Sequence, residues 1–234
     1  MLRFPALAAF LPHSPPAGLR ETARAAAGAG LGIALTALVS TLLAGGHGAL
    51  PLLIAPMGAS AVLLFGVPAS PLAQPWSIIG GNLVAGIIGV AAAHTIAAPG
   101  LAAAVAVALA LAAMTVLRCV HPPSGAVALT AVLGGPQVAA LGYGFVAVPV
   151  AINTLVLTLA ALAYNNATGR SYPHRAHAPV HPHLPPAPLA LSPADFDAVL
   201  ADYGEPLDID SDDLRMILGE LLARARPAAS AADL

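Results

Sequence analysis

The chain has no lysine, and between Arg24 and Arg170 its only formally charged residue is Arg118. Just 9% of its 234 residues are charged and 58% are hydrophobic, whereas about a quarter of a soluble domain carries charge. A soluble fold is thereby excluded, and an integral membrane protein with the lipid bilayer as its solvent is implied. The single cysteine, Cys119, rules out an internal disulfide and offers no metal-ligand spacing. Of the 11 acidic residues only Glu21 precedes Asp195. The apolar block therefore holds no carboxylate pair for acid–base work and no carboxylate metal site. Ser124 follows His121 by three residues, but no third group is there to orient a base as a triad requires. These absences point away from an enzyme, and no cofactor, metal or nucleic-acid partner is implied.

What is present is apolar length. Ala25 to Gly45, Ser77 to Ala97, Leu101 to Leu117 and Ala139 to Tyr164 each approach the ~20 residues of a spanning helix. Between them lie two shorter apolar segments opened by prolines, Gly58 to Gly66 behind Pro56 and Ser124 to Leu133 behind Pro122 and Pro123. Pro56-Met57-Gly58-Ala59-Ser60-Ala61-Val62-Leu63 aligns with Pro123-Ser124-Gly125-Ala126-Val127-Ala128-Leu129-Thr130, each between long spans. The expected fold class is an all-α membrane protein with a two-fold internal repeat of span, broken short helix, span. That makes 4 full transmembrane helices plus 2 short or re-entrant helices, with a small helical cytoplasmic tail. The expected segments are an irregular lead-in over 1–19, a membrane domain over 20–166, a Pro/His-rich linker over 167–191 and an acidic amphipathic tail over 192–234. If both short segments cross the membrane, the halves are inverted and Arg118 joins the other arginines. If both are re-entrant, it lies opposite them. The excess of arginine on cytoplasmic flanks favours crossing and puts both termini in the cytoplasm.

A charge within the hydrocarbon is costly, so Arg118 reads either as an interfacial anchor or as part of a solute path. Beside it, His121, Pro122 and Pro123 break the chain onto a helix of small residues. Proline at a first turn loses no helical donor, glycine permits close approach, and free N–H groups attract an anion. Pro56, Gly58 and Ser60, with Pro123, Ser124 and Gly125, thus form two helix starts suited to a small anion. Arg118 and His121 stand nearby, and Asn82 and Asn153 supply hydrogen bonds. The plainer alternative is that the asparagines join helices and His121 bonds a backbone carbonyl. His94 reads as a mid-span interhelical partner and His47 as a loop residue.

Ala55 to Phe65, Pro68 to Pro75 and Arg118 to Ala126 together resemble the HPP family of bacterial and plastid integral membrane proteins, over roughly Arg20 to Asn166. The resemblance implies a bacterial inner membrane location and four transmembrane helices. Because some plastid and cyanobacterial members are associated with nitrite transport, it also implies a transporter or channel for nitrite or another small anion. The tail segments Asp195 to Leu200 and Leu207 to Leu214 resemble the stretch that leads, in longer members, into a nucleotide-sensing CBS pair. No such pair is expected here. The tail, with apolar Leu214, Ile217, Leu218, Leu221 and Leu222 on one helical face, is expected to contact a second copy, the membrane block or a regulatory partner. The rival to transport is a scaffold or sensor subunit acting through that tail. His174, His177, His181 and His183 are of a type that binds a transition metal, but Pro179 and Pro182 among them argue against a preformed site.

Overall fold

The structure is a computed structural model that describes residues 18–43, 53–174, 214 and 216–218. Its described residues contain helices and no strand. They are α1 (Leu19–Leu43), α2 (Pro56–Gly66), α3 (Pro75–Thr95), α4 (Pro99–Val116), α5 (Pro123–Leu133), α6 (Gly135–Leu141) and α7 (Ile152–Ala167). A 3-10 turn, Pro71–Ala73, precedes α3, and a π-helical stretch, Val146–Ala151, leads into α7. Four segments are long and apolar enough to cross a membrane: α1, α3, α4 and Val146–Ala167.

Proline starts α2, α3, α4 and α5, at Pro56, Pro75, Pro99 and Pro123. It costs nothing there, because the first helical N–H has no intrahelical partner to lose. Inward faces are built from small residues at every fourth position. On α1 the buried residues are Gly28, Gly32, Thr36 and Ser40, while Leu31, Leu35, Leu38 and Leu42 are exposed. The same spacing recurs in Ala102, Ala106 and Ala110 of α4. Lipid is as apolar as leucine, so close backbone approach rather than burial of large side chains holds such helices together. A β-carbon at Gly32 would lie 2.8 Å from the Phe65 ring, and one at Gly89 2.8 Å from the Ala128 carbonyl.

The helices pack as two groups of three. α7 packs on α1 and α2, and α3 packs on α4 and α5. The groups meet where α2 faces α5 and α3 faces α7. Each half of the chain therefore gives its third span to the other half's group. The direction of each segment follows from its contacts. Asn165 at the end of α7 accepts from Arg24 near the start of α1, so the two ends lie together. Asn153 bonds both Ser40 and the Ile54 amide, whereas Phe65 lies against Gly28 and Gly32. α2 thus runs back along α1 toward the end where α1 began. Trp76, at the start of α3, donates to the Leu117 carbonyl beyond α4. α5 runs parallel to α3, with Ser124 opposite Gly81 and Ala131 opposite Gly89. Arg24, Arg118 and Arg170 consequently share one end of the bundle.

Three expectations need correction. The last span does not begin at Ala139: α6 is bent 95° from α5, Gly142 takes φ 50, and Val148 is extended before Pro149. Hydropathy is continuous through this region, but Gly142 and the proline, which lacks an N–H, interrupt the helix. His94 is not mid-span. It lies in the last turn of α3, exposed, with its ring edge-on to Tyr143 at 5.9 Å. The spans of α3 and α4 each begin two residues earlier than expected, at their prolines. The lead-in over 1–17, His47, the linker from 175 and the first tail helix lie outside the described residues; of the second, Leu214 and 216–218 are helical.

Candidate functional site

His121 sits in the five-residue connection before Pro122 and Pro123, fully buried at 0% exposure. Its Nδ1 is 2.8 Å from the Leu72 carbonyl of the 3-10 turn, and its Nε2 is 2.9 Å from Ser60 Oγ on α2. A carbonyl only accepts, so Nδ1 carries the proton, and in the neutral ring Nε2 accepts from the Ser60 hydroxyl. One imidazole thus ties the start of α5 to the first turns of α2 and to the turn before α3.

A second buried chain crosses between the groups. Ser124 Oγ donates to Asn82 Oδ1 at 2.8 Å, and Asn82 Nδ2 donates to Thr154 Oγ1 at 3.0 Å. A third joins Asn153 Nδ2 to Ser40 Oγ at 2.9 Å, while the Ile54 amide donates to Asn153 Oδ1 at 3.0 Å. Asn82 stands seven residues after Pro75, and Asn153 seven after Val146. Each asparagine comes from the third span of one half and holds the start of the short helix of the other half. In a low-dielectric interior a polar side chain lacking such partners is costly, and all of these have them.

Of the residues singled out in the sequence, Ser60, His121, Ser124, Asn82 and Asn153 converge on this buried belt, with Pro56 and Pro123 buried at the two helix starts. Pro122 and Gly58 are exposed and Gly125 is half-buried. A β-carbon at Gly58 or Gly125 would meet nothing within 4 Å. The close approach falls instead on Gly81, where a β-carbon would lie 2.8 Å from Ser124 Oγ, 2.9 Å from the Cys119 carbonyl and 2.9 Å from His121 Cβ. The first-turn amides are engaged within the chain. Met57 and Gly58 donate to Ile54 and Ala55, and Ser124 and Gly125 to His121 and Pro122.

Arg118 lies outside the belt. It is exposed, at φ 55, and closes α4 in a Schellman arrangement: Cys119 N–H to the Met114 carbonyl and Arg118 N–H to the Thr115 carbonyl. Glycine normally fills that left-handed position. An arginine there costs roughly 1–2 kcal/mol, partly offset by its charge at a helix C-terminus.

Sequence reasoning missed two features at the arginine end. Arg24 donates to Glu21, to Asn165 Oδ1 and to the Phe65 carbonyl, and Arg170 donates to Glu21 at 2.6 Å. The signal was Glu21, the one carboxylate before Asp195. Tyr172, buried beyond α7, donates to the Ala73 carbonyl at 2.7 Å, and the His174 amide donates to Gln74 Oε1. These bonds strap residues 171–174 across the same turn that His121 holds from inside.

A family model described as the HPP transmembrane region matches residues 14–173. Two transmembrane proteins of Dictyostelium discoideum are similar to the chain. One is 43% identical over 126 residues, covering 52% of this chain and 44% of that protein. The other is 42% identical over 126 residues, covering 52% and 40%. The aligned region is thus less than half the length of either relative. No solved structure matches.

Proposed function

The chain belongs to the HPP transmembrane family, and from that premise we propose that it is a multi-pass transporter or channel for a small anion, with nitrite the leading candidate. The observation that carries this reading is the belt of Ser60, His121, Ser124, Asn82 and Asn153, buried where two helix groups meet and two proline-started helices begin. Broken helices meeting at a polar seam between repeats are the usual build of a transporter's solute site.

The sign of the solute follows from what surrounds the seam. Glu21, the one carboxylate before Asp195, is paired with Arg24 and Arg170, so no unpaired carboxylate of the membrane block repels an anion. The seam offers hydroxyls, amides and an imidazole N–H, all able to donate. Arg118, exposed at the end shared with Arg24 and Arg170, supplies positive potential at one mouth and raises the local concentration of anions. A neutral donor set suits a small monovalent ion, because a more highly charged one loses too much hydration. Nitrite is chosen over other monovalent anions from the family's association alone.

The donors are bonded to one another here, so passage requires the Ser124–Asn82–Thr154 and Asn153–Ser40 bonds to exchange partners as the groups move against each other. On this reading α2 and α5, each shorter than a spanning helix, complete the passes that the four long helices begin, and the repeat is inverted. Both flanks of the membrane block are then on one side, which its arginines mark as cytoplasmic.

Uptake of nitrite into liposomes holding the purified protein tests this, with nitrate, formate and chloride as competitors. Saturable uptake above protein-free vesicles, reduced by Asn82→Ala, is expected. No uptake of any of these anions by folded, inserted protein would overturn the reading and favour a scaffold acting through the tail.

A further inference from the structure

We infer that His121 and Ser60 form a proton-binding site that couples anion passage to the movement of one proton in the same direction. This rests on the transporter reading and adds to it a second ligand and a source of driving force. The geometry provides for both protonation states without moving the backbone. In the neutral state Nδ1–H is held by the Leu72 carbonyl, and the Ser60 hydroxyl points at Nε2, 2.9 Å away. The Pro56 carbonyl lies 3.4 Å from the same Ser60 oxygen. When a proton from water adds to the Nε2 lone pair, the new N–H bond points at Ser60 Oγ. The serine hydrogen turns to Pro56, and the hydroxyl changes from donor to acceptor. No covalent bond of the protein breaks, and the ring gains one positive charge.

Among the described residues that charge has no counter-ion. The segments that meet His121 are α2, the 3-10 turn, α3 and α5, and none contains Asp, Glu, Lys or Arg. Their one other histidine, His94, is at the far end of α3. Cys119 is buried against Gly80, Arg118 is exposed, Tyr172 reaches Ala73, one residue from Leu72, and His174 of the same strap stands at Gln74. An imidazolium in this uncharged seam is stabilised by an anion, and an anion there by the imidazolium. By linkage each raises the other's affinity by the same factor. The loaded seam is then neutral overall, which is the cheapest way to carry an ion through a low-dielectric interior.

The test uses the full chain. In weakly buffered detergent solution with an indicator dye, adding sodium nitrite at neutral pH, with sodium sulfate, a divalent anion, for reference, is expected to draw about one proton from solution per anion bound. In liposomes, with the membrane potential clamped and protein-free vesicles subtracted, uptake is read once as nitrite exchange without a pH gradient and once with the outside made one pH unit more acidic. The equilibrium accumulation ratio for coupled movement of one proton and one anion rises about tenfold per pH unit. In His121→Gln the ratio of acid-driven uptake to exchange is expected to fall to about one. Exchange by wild type with no proton uptake, or equal acid stimulation in wild type and His121→Gln, would overturn the inference while leaving the transporter standing. Absence of exchange in wild type would remove both. If His121→Gln does not fold, the proton count on wild type decides alone.

Discussion

Adding one methyl group at Gly81 and one at Gly125 should have opposite effects, although both glycines flank the same histidine. At Gly81 the new β-carbon would lie 2.8–2.9 Å from Ser124 Oγ, the Cys119 carbonyl and His121 Cβ. The serine hydroxyl can rotate aside; the carbonyl and the β-carbon cannot without moving the backbone. Overpacking of this kind costs up to ~3 kcal/mol, and the gain in helix propensity from Gly to Ala returns ~1 kcal/mol. Gly81→Ala should therefore destabilise the protein by about 2 kcal/mol, whereas Gly125→Ala, meeting nothing within 4 Å, keeps only the gain. The chain carries its own reporter in Cys119, its single cysteine, fully buried beside Gly80. Where labelling by a maleimide dye in detergent follows the population of opened molecules, ~2 kcal/mol corresponds to about 30-fold faster labelling. Gly81→Ala should show that acceleration, and Gly125→Ala should label no faster than wild type. Equal rates for the two variants would refute the packing on which the site is built.

Arg118→Gly should raise the melting temperature by removing an arginine from a left-handed position, a relief of roughly 1 kcal/mol. It should also lower anion uptake by removing the charge at the mouth. A variant that is stabilised and fully active would return Arg118 to the role of an interfacial anchor. Tyr172→Phe removes the donor to the Ala73 carbonyl and should cost about 1–2 kcal/mol, because that acceptor is left buried. Burial pushes the Tyr172 phenol up, so the folded state keeps a proton that the unfolded state releases above roughly pH 10. Stability should fall as pH rises beyond that point, and the alkaline loss should be smaller in Tyr172→Phe. Identical pH–stability curves for the two proteins would contradict the buried strap.

Much of the membrane block was readable because its punctuation is chemical. Pro56 and Pro123 start the short helices for a reason visible in one dimension, since a residue without an N–H fits only where none is needed. Hydropathy located the long spans because the bilayer fixes their length. It failed from Ala139 on, where a continuous apolar run hides the break at Gly142. The lipid-facing side does not care whether its leucines belong to one helix or two. At the site, the residue types were legible but their partners were not. Asn82 and Asn153 were recognisable as polar groups needing satisfaction, yet nothing local says that each holds the short helix of the opposite half. Gly58 and Gly125 drew attention by following prolines, while the glycine that lets the backbone close on His121 is Gly81, on another helix. Arg118 stood out by its charge, and its place at the end of α4 is set by the Met114 and Thr115 carbonyls, which its charge does not reveal. The Glu21–Arg24–Arg170 cluster joins residues from both ends of the block and exists only once those ends are brought together.

The central claim is that the anion passes through the seam at Ser124. In purified protein with Cys119→Ala and Ser124→Cys, the rate of modification by a small thiosulfonate reagent can be followed with and without nitrite. A matched protein with Cys119→Ala and the exposed Arg20→Cys serves as reference. Nitrite should slow modification at position 124 in a saturable way and leave position 20 unchanged. Modification at 124 that is undetectable, or equally fast with and without the anion, would contradict the account.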